Sequence, residues 1–196
     1  MSYKQALELL KEGNQRFLDG ENIHPDDHHE KRLETTHKGQ SPFAIIVTCA
    51  DSRTSPTLIF NAGIGDLFVI RNAGNIACGN TVAAVEFAVN EIGSGLVVVM
   101  GHSKCGVVTT AVSGAEVSAN QKLLIDAVKP AVETVKAEYP EVSDLKLINL
   151  AAKENAKNSV MNILEMSEII RAKKENDDID LIAAFYDIET GKVEWL

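Results

Sequence analysis

Residues 43–49 read Phe-Ala-Ile-Ile-Val-Thr-Cys, and residues 96–106 read Leu-Val-Val-Val-Met-Gly-His-Ser-Lys-Cys-Gly. The first is a short, continuous apolar run rich in β-branched side chains, which predicts a strand buried on both faces. Leu96–Met100 and Asp66–Arg71 (Asp-Leu-Phe-Val-Ile-Arg) read the same way. Between them, Val82, Val85 and Val89 recur at helical spacing over Thr81–Glu91. Strands that alternate with helices imply an α/β fold with a mainly parallel central sheet flanked by helices. In such sheets ligands gather at the carboxyl ends of the strands. Cys49 ends the first run and His102 follows the third, so both are expected at that edge.

Further out, Ser2–Asp19 predicts an amphipathic helix. Ser2 and Gln5 form a capping box, Leu10 and Phe17 lie on its apolar stripe, and Gly20 stops it. Glu21–Ser41 is polar, with Pro25 and the histidines His24, His28, His29 and His37. Beyond the core strands, helices are expected over Cys105–Val112 and Asn120–Ala137, a strand over Leu145–Leu150, a long helix over Ala151–Lys174 and a strand over Ile179–Tyr186. A turn at Glu189–Lys192 leads into a short strand, Val193–Leu196. No repeat or linker divides the chain. One domain over residues 1–196 is expected: an N-terminal helical arm and polar segment over 1–40, and a metal-binding α/β core over 41–196.

The formal net charge of −9 argues against nucleic acid or an anionic membrane as partner, since both call for a basic face. A small anion remains compatible. The first residues lack the apolar core of a secretory signal, and the apolar run Leu181–Tyr186 is too short to span a bilayer. A cytoplasmic location is expected. Three cysteines, Cys49, Cys78 and Cys105, do not make a disulfide framework in such a chain.

The chemistry concentrates in Cys49-Ala-Asp51-Ser-Arg53 and His102-Ser-Lys-Cys105. Each segment directly follows a predicted buried strand. Two thiolates and an imidazole make a soft mixed set that favours zinc, and three protein ligands leave one coordination position open, as catalytic sites do. Cys105 falls near a helix N-terminus, where the dipole favours thiolate. A lone cysteine at a strand end is ordinarily just packed. Two cysteines and a histidine at strand ends, beside an Asp/Arg pair, are not explained that way.

These segments resemble the paired zinc motifs of the β-class carbonic anhydrases: Cys-x-Asp-Ser-Arg over Cys49–Arg53 and Gly-His-x-x-Cys-Gly over Gly101–Gly106. Gly65–Asn75 is similar to that family's next block, and the opening helix and closing segment also match. The resemblance implies one Zn2+ per subunit on Cys49, His102 and Cys105, and reversible hydration of carbon dioxide to bicarbonate and a proton by zinc-bound hydroxide. With two thiolates cancelling the metal charge, activity is expected to grow above neutral pH. The resemblance makes Asp51 the acceptor of the water proton and Arg53 its holder. If that pair broke, Asp51 could swing onto the open metal position, as it does in some members at lower pH. Gln40, nine residues before Cys49, matches the plant-like members, in which it reaches substrate across a dimer interface. Phe68, Phe87 and Gly106 complete the implied substrate contacts. A homodimer is implied, with pairing into a tetramer left open, and the first helix embracing a partner.

Two positions depart from the family. Ile46 stands where allosteric members carry Trp, which weakens the case for bicarbonate inhibition although Arg71 is present. Phe87 stands where plant-like members carry Tyr, so proton export needs another route. Cys78 reads as a small packed residue, and the four histidines as a solvated loop without ligand spacing. Gly101 and Gly106 read as permitting tight turns or close substrate approach. Two alternatives stay open: hydrolysis of carbonyl sulfide or carbon disulfide on the same scaffold, and a non-catalytic zinc-binding module with a fourth ligand.

Overall fold

The computed structural model describes residues 1–21 and 28–196. In chain order the elements are α1 Tyr3–Leu18, α2 His28–Lys38, β1 Ala44–Cys49, α3 Pro56–Ile59, β2 Leu67–Asn72 and α4 Gly79–Phe87. There follow β3 Leu96–His102, α5 Gly106–Ser113, α6 Ala119–Glu138, α7 Asp144–Met166, α8 Glu168–Glu175, β4 Asp180–Tyr186 and β5 Val193–Trp195. A π-helical turn, Ala88–Ile92, continues α4.

The five strands form one sheet in the order β2-β1-β3-β4-β5. The pairs β1–β2, β1–β3 and β3–β4 are parallel, and only β5 runs antiparallel to its neighbour. Every residue of β1 and β3 is buried, as their unbroken apolar runs require of central strands. Side chains alternate across the sheet. Ile45, Val47, Val97 and Val99 join a core with Val85 of α4, Ile163 of α7 and Ile170 of α8. Ala44, Ile46, Val98 and Met100 join the other, with Ala6 and Leu10 of α1 and with Ile59 and Phe60.

α1 therefore commits its buried stripe to its own chain's sheet, with the expected Ser2–Gln5 capping box at its start. Buried Asn14 fastens it there: its amide donates to the carbonyls of Ile59 and Gly191, and its oxygen accepts from Val193 N–H. At the other end of the core, β3 meets α7 at backbone distance. A Cβ on Gly101 would lie 2.7 Å from the Ala152 carbonyl oxygen, so only glycine allows this approach just before His102.

Several expectations need correction. Leu145–Leu150 is not a strand but the opening of α7, which buries Leu147, Ala151, Ala152 and Asn155. The long helix expected over Ala151–Lys174 breaks at Ser167, whose extended backbone and side chain, accepting from Ile170 N–H, cap α8. The polar segment holds a helix, α2, with Glu34 between Lys31 and Lys38. β2 is not covered on both faces: it is an edge strand with partly exposed side chains. β3 runs two residues past Met100, so His102 is its last residue and does not follow the strand. No described helix is long and apolar enough to cross a membrane.

Candidate metal centre

β1 ends at Cys49, β3 ends at His102, and Cys105 is the N-cap of α5. Adjacent parallel strands thus deliver two of the three side chains, and a tight turn delivers the third. Lys104 in that turn has φ 56°, a left-handed conformation uncommon for a side-chain-bearing residue. The ligand atoms of Cys49, His102 and Cys105 all lie within 4.8 Å of one another, and all three residues are buried. Around a tetrahedral zinc such atoms stand roughly 3.5–3.8 Å apart, given bonds of about 2.0–2.3 Å.

The histidine tests the fit. His102 Nδ1 lies 2.9 Å from the Ser103 carbonyl oxygen, which can only accept, so Nδ1 carries the ring proton. Nε2 is then a bare lone pair, buried and without a hydrogen-bond partner. An orphaned imidazole nitrogen beside two thiols is costly unless an electrophile takes it up. A carbonyl on the far nitrogen is the usual way to fix a metal-binding tautomer.

The sulfurs are prepared as well. Cys49 is pulled far below the usual thiol range by the Cys105 thiol, with the amides of Gly74 and Asp51 adding to the effect. Those two amides stand 3.4 Å from Cys49 Sγ. Cys105 is pushed up by the same pairing with Cys49 and by burial. A divalent cation would take both sulfurs as thiolates.

Arg53 grips Asp51 twice: Nε–Oδ1 at 2.9 Å and Nη2–Oδ2 at 2.7 Å, with the Arg53 backbone N–H also on Oδ1. The guanidinium holds the Asp51 carboxyl well below the usual carboxylate range. Arg71, which the sequence offered only as a remnant of an allosteric site, donates to the Cys49 carbonyl at 3.1 Å and to the Asp51 carbonyl at 2.6 Å. The buried Thr54 hydroxyl lies 2.9 Å from each of the same two carbonyls.

The sequence profile of the family described as carbonic anhydrase matches residues 44–193, which contain all of these groups. The chain belongs to the β-class carbonic anhydrase family. Among its relatives, a carbonic anhydrase of Synechocystis is 32% identical over 95% of this chain and 70% of its own length. Carbonic anhydrase 2 of Mycobacterium tuberculosis is 41% identical over 55% of this chain. The chain spans about half the length of that relative (52%). A solved structure, the β-carbonic anhydrase CcaA, shares 31% identity and a TM-score of 0.78, over 96% of this chain and 94% of that one. β-Class carbonic anhydrases are zinc enzymes, and the Cys49–His102–Cys105 set suits that ion in donor type, number and tautomer.

The other expected site residues are spread more widely in this carbonic anhydrase family member. Gly106 opens α5, and a Cβ there would meet nothing within 4 Å, so the surface beside Cys105 is open. Gln40 is exposed, ahead of β1. Phe68 on β2 and Phe87 at the end of α4 face each other with ring centroids 6.3 Å apart, and Phe87 is half exposed. Ile46, at the allosteric tryptophan position, is fully buried in the sheet.

Cys78 corrects an expectation: it is exposed rather than packed, because it is the N-cap of α4. It stands outside the metal cluster. The Thr81 hydroxyl and the first amides of α4 lower its thiol. His29 and His37 are exposed on α2, a helix where a solvated loop was expected. His24 and the side chain of His28 lie outside the described residues. Sequence reading missed Thr54, Asn72, Asn155 and Ser159. The last two stand four residues apart in an otherwise apolar stripe of α7, and that polar interruption was the available signal.

Proposed function

We propose that this chain catalyses reversible hydration of carbon dioxide to bicarbonate and a proton at the Cys49–His102–Cys105 centre. The observation that carries the reading is the bare, partnerless Nε2 of His102 buried with two thiols, beside a carboxylate locked by Arg53. A zinc ion bound there supplies the Lewis acidity that makes water a nucleophile near neutral pH. The chain's own groups do the rest. Asp51, kept ionised and fixed by Arg53, accepts a hydrogen bond from the attacking water and orients it, while the proton itself passes on to solvent. Arg71 and Thr54 hold the Cys49–Asp51 backbone, so that ligand and acceptor keep one spacing.

Three ligands and a restrained carboxylate argue against a structural zinc module, which would close the shell with a fourth side chain. Gln40, Phe68, Phe87 and Gly106 are proposed as the substrate surround. The exposure of Gln40 and Phe87 in the single chain is what residues completing a site in a homodimer would show. Pairing into a tetramer and the plant-like subtype are proposals of the same standing.

The test is stopped-flow hydration of carbon dioxide by the purified protein, read beside zinc content, for wild type and Cys49→Ser. One zinc per chain and activity in wild type, with both lost in Cys49→Ser, is expected. Full activity without bound metal sinks the proposal. Carbonyl sulfide is run in parallel, and faster turnover of it than of carbon dioxide would move the assignment to the hydrolase reading.

A further inference from the structure

Gly74 and Asn75 form a turn directly after β2 in which both residues take the left-handed conformation, with φ 82° and 46°. Gly74 has little choice, since a Cβ there would press on the Val107 side chain at 3.3 Å as well. Asn75 has no such exemption, and a non-glycine residue held there must be over-determined by its surroundings. The restraint comes from two sides. On one, Asn72 caps the turn, its carboxamide accepting from Ile76 N–H and donating to the Ile76 carbonyl, both at 2.7 Å. On the other, α7 supplies two buried side chains. Asn155 Nδ2 donates to the Gly74 carbonyl at 2.9 Å, and Ser159 Oγ donates to the Asn75 carbonyl at 3.1 Å.

Asn155 and Ser159 are 3% and 2% exposed, one turn apart on the face of α7 that packs into the core. Both residue types are poor choices for a helix interior, and both are costly to bury without partners. Asn155 thus holds the residue whose N–H points at Cys49 Sγ, and Ser159 holds the residue after it. An amide hydrogen bond withdraws charge from a thiolate, and such outer contacts tune both the grip and the electronics of a metal centre.

Resting on the zinc reading above, we propose that Asn155 and Ser159 are positioning residues of the metal centre: by fixing the carbonyls of Gly74 and Asn75, they keep the Gly74 N–H on Cys49 Sγ and so set how strongly that sulfur binds the ion. They touch neither ion nor substrate. Their influence passes through one turn of backbone.

The experiment uses the full chain loaded with zinc, and separately with cobalt(II) as a spectroscopic substitute. Zinc affinity is measured by competition with a chelator, and the thiolate-to-cobalt charge-transfer band by absorption. Asn155→Leu is expected to shift the band and to weaken zinc binding by about tenfold. Asn14→Leu, which removes a comparably buried amide from the other face of the sheet, is expected to lower the melting temperature while leaving band and affinity unchanged. Ser159→Ala carries the same signs at smaller size, and decides the matter if Asn155→Leu does not fold. A folded Asn155→Leu with wild-type band and affinity overturns the inference, as does an unchanged Ser159→Ala where only that variant folds. A wild type that binds neither zinc nor cobalt overturns the metal reading itself, which is a distinguishable result.

Discussion

Asp51 and Arg53 stand two positions apart, and the bidentate contact between them leaves the carboxylate no freedom to turn. Arg53→Ala is therefore expected to cost roughly ten- to hundredfold in hydration rate, read by stopped flow, because Asp51 is then free to move onto the metal. The pH consequence has a definite sign. Asp51 is held below its ordinary value mainly by Arg53, so its contribution to stability is present above the ordinary aspartate value of about 3.9. It is lost as pH falls through the lower folded value. The stability gap between wild type and Arg53→Ala should be constant from about pH 5 upward and shrink below about pH 4, as acid-unfolding series would show. Cys78 offers a second residue-scale check. Its thiol is exposed and lowered by Thr81, so near neutral pH iodoacetamide should label it first in the zinc-loaded protein. Cys49 and Cys105 should be labelled only after chelation, as peptide mass mapping would record. The metal ligands were legible in the sequence because only a few residue types bind zinc. Arg71, Thr54 and Asn155 were not, because a hydrogen bond to a backbone carbonyl can come from many side chains and leaves no spacing signature.

Among the elements, the central strands were legible and the edges were not. β1 and β3 are buried on both faces, so their composition alone carries the signal. β2 has the same composition but lies at the sheet's edge, and one chain's sequence does not say which strand that is. Leu145–Leu150 misled because its apolar residues suit either period. The residues downstream decide for a helix, since Leu147, Ala151 and Asn155 continue at four-residue steps into the core. Ser167 ends that helix through a side-chain cap, a three-residue feature inside a long periodic stretch. The contact between β3 and α7 turns on Gly101, whose missing side chain admits the Ala152 carbonyl. Gly101→Ala should cost about 1–3 kcal/mol of stability by overpacking, seen in thermal melts. It should also lower the zinc content of the folded protein, because His102 is the next residue.

At the scale of the whole molecule, the sheet is closed on one side and open on the other. β5 covers the β4 edge, whereas β2 has no neighbour on its outer side among the described residues. Apolar side chains gather around that edge: Val69 is 36% exposed on β2, Leu58 is 65% exposed on α3, which packs against β2, and Phe87 is 52% exposed against Phe68. Edge strands in soluble chains are commonly blunted by charge, bulges or proline. An apolar edge instead fits burial in a second copy, and it is the surface on which the proposed dimer is tested. The chain's formal charge of −9 makes two copies repel at long range, so the apolar contact must carry the association. Val69→Lys puts a charge at the centre of that edge, away from the metal ligands. Wild type should sediment as a dimer at micromolar concentration, and Val69→Lys should shift toward monomer while keeping its zinc. Its hydration rate should fall in proportion to the monomer fraction, since the open Gln40 and Phe87 would lose their covering subunit. A wild type that sediments as an active monomer would refute the dimer, and a monomeric Val69→Lys with full activity would show that each chain completes its own site.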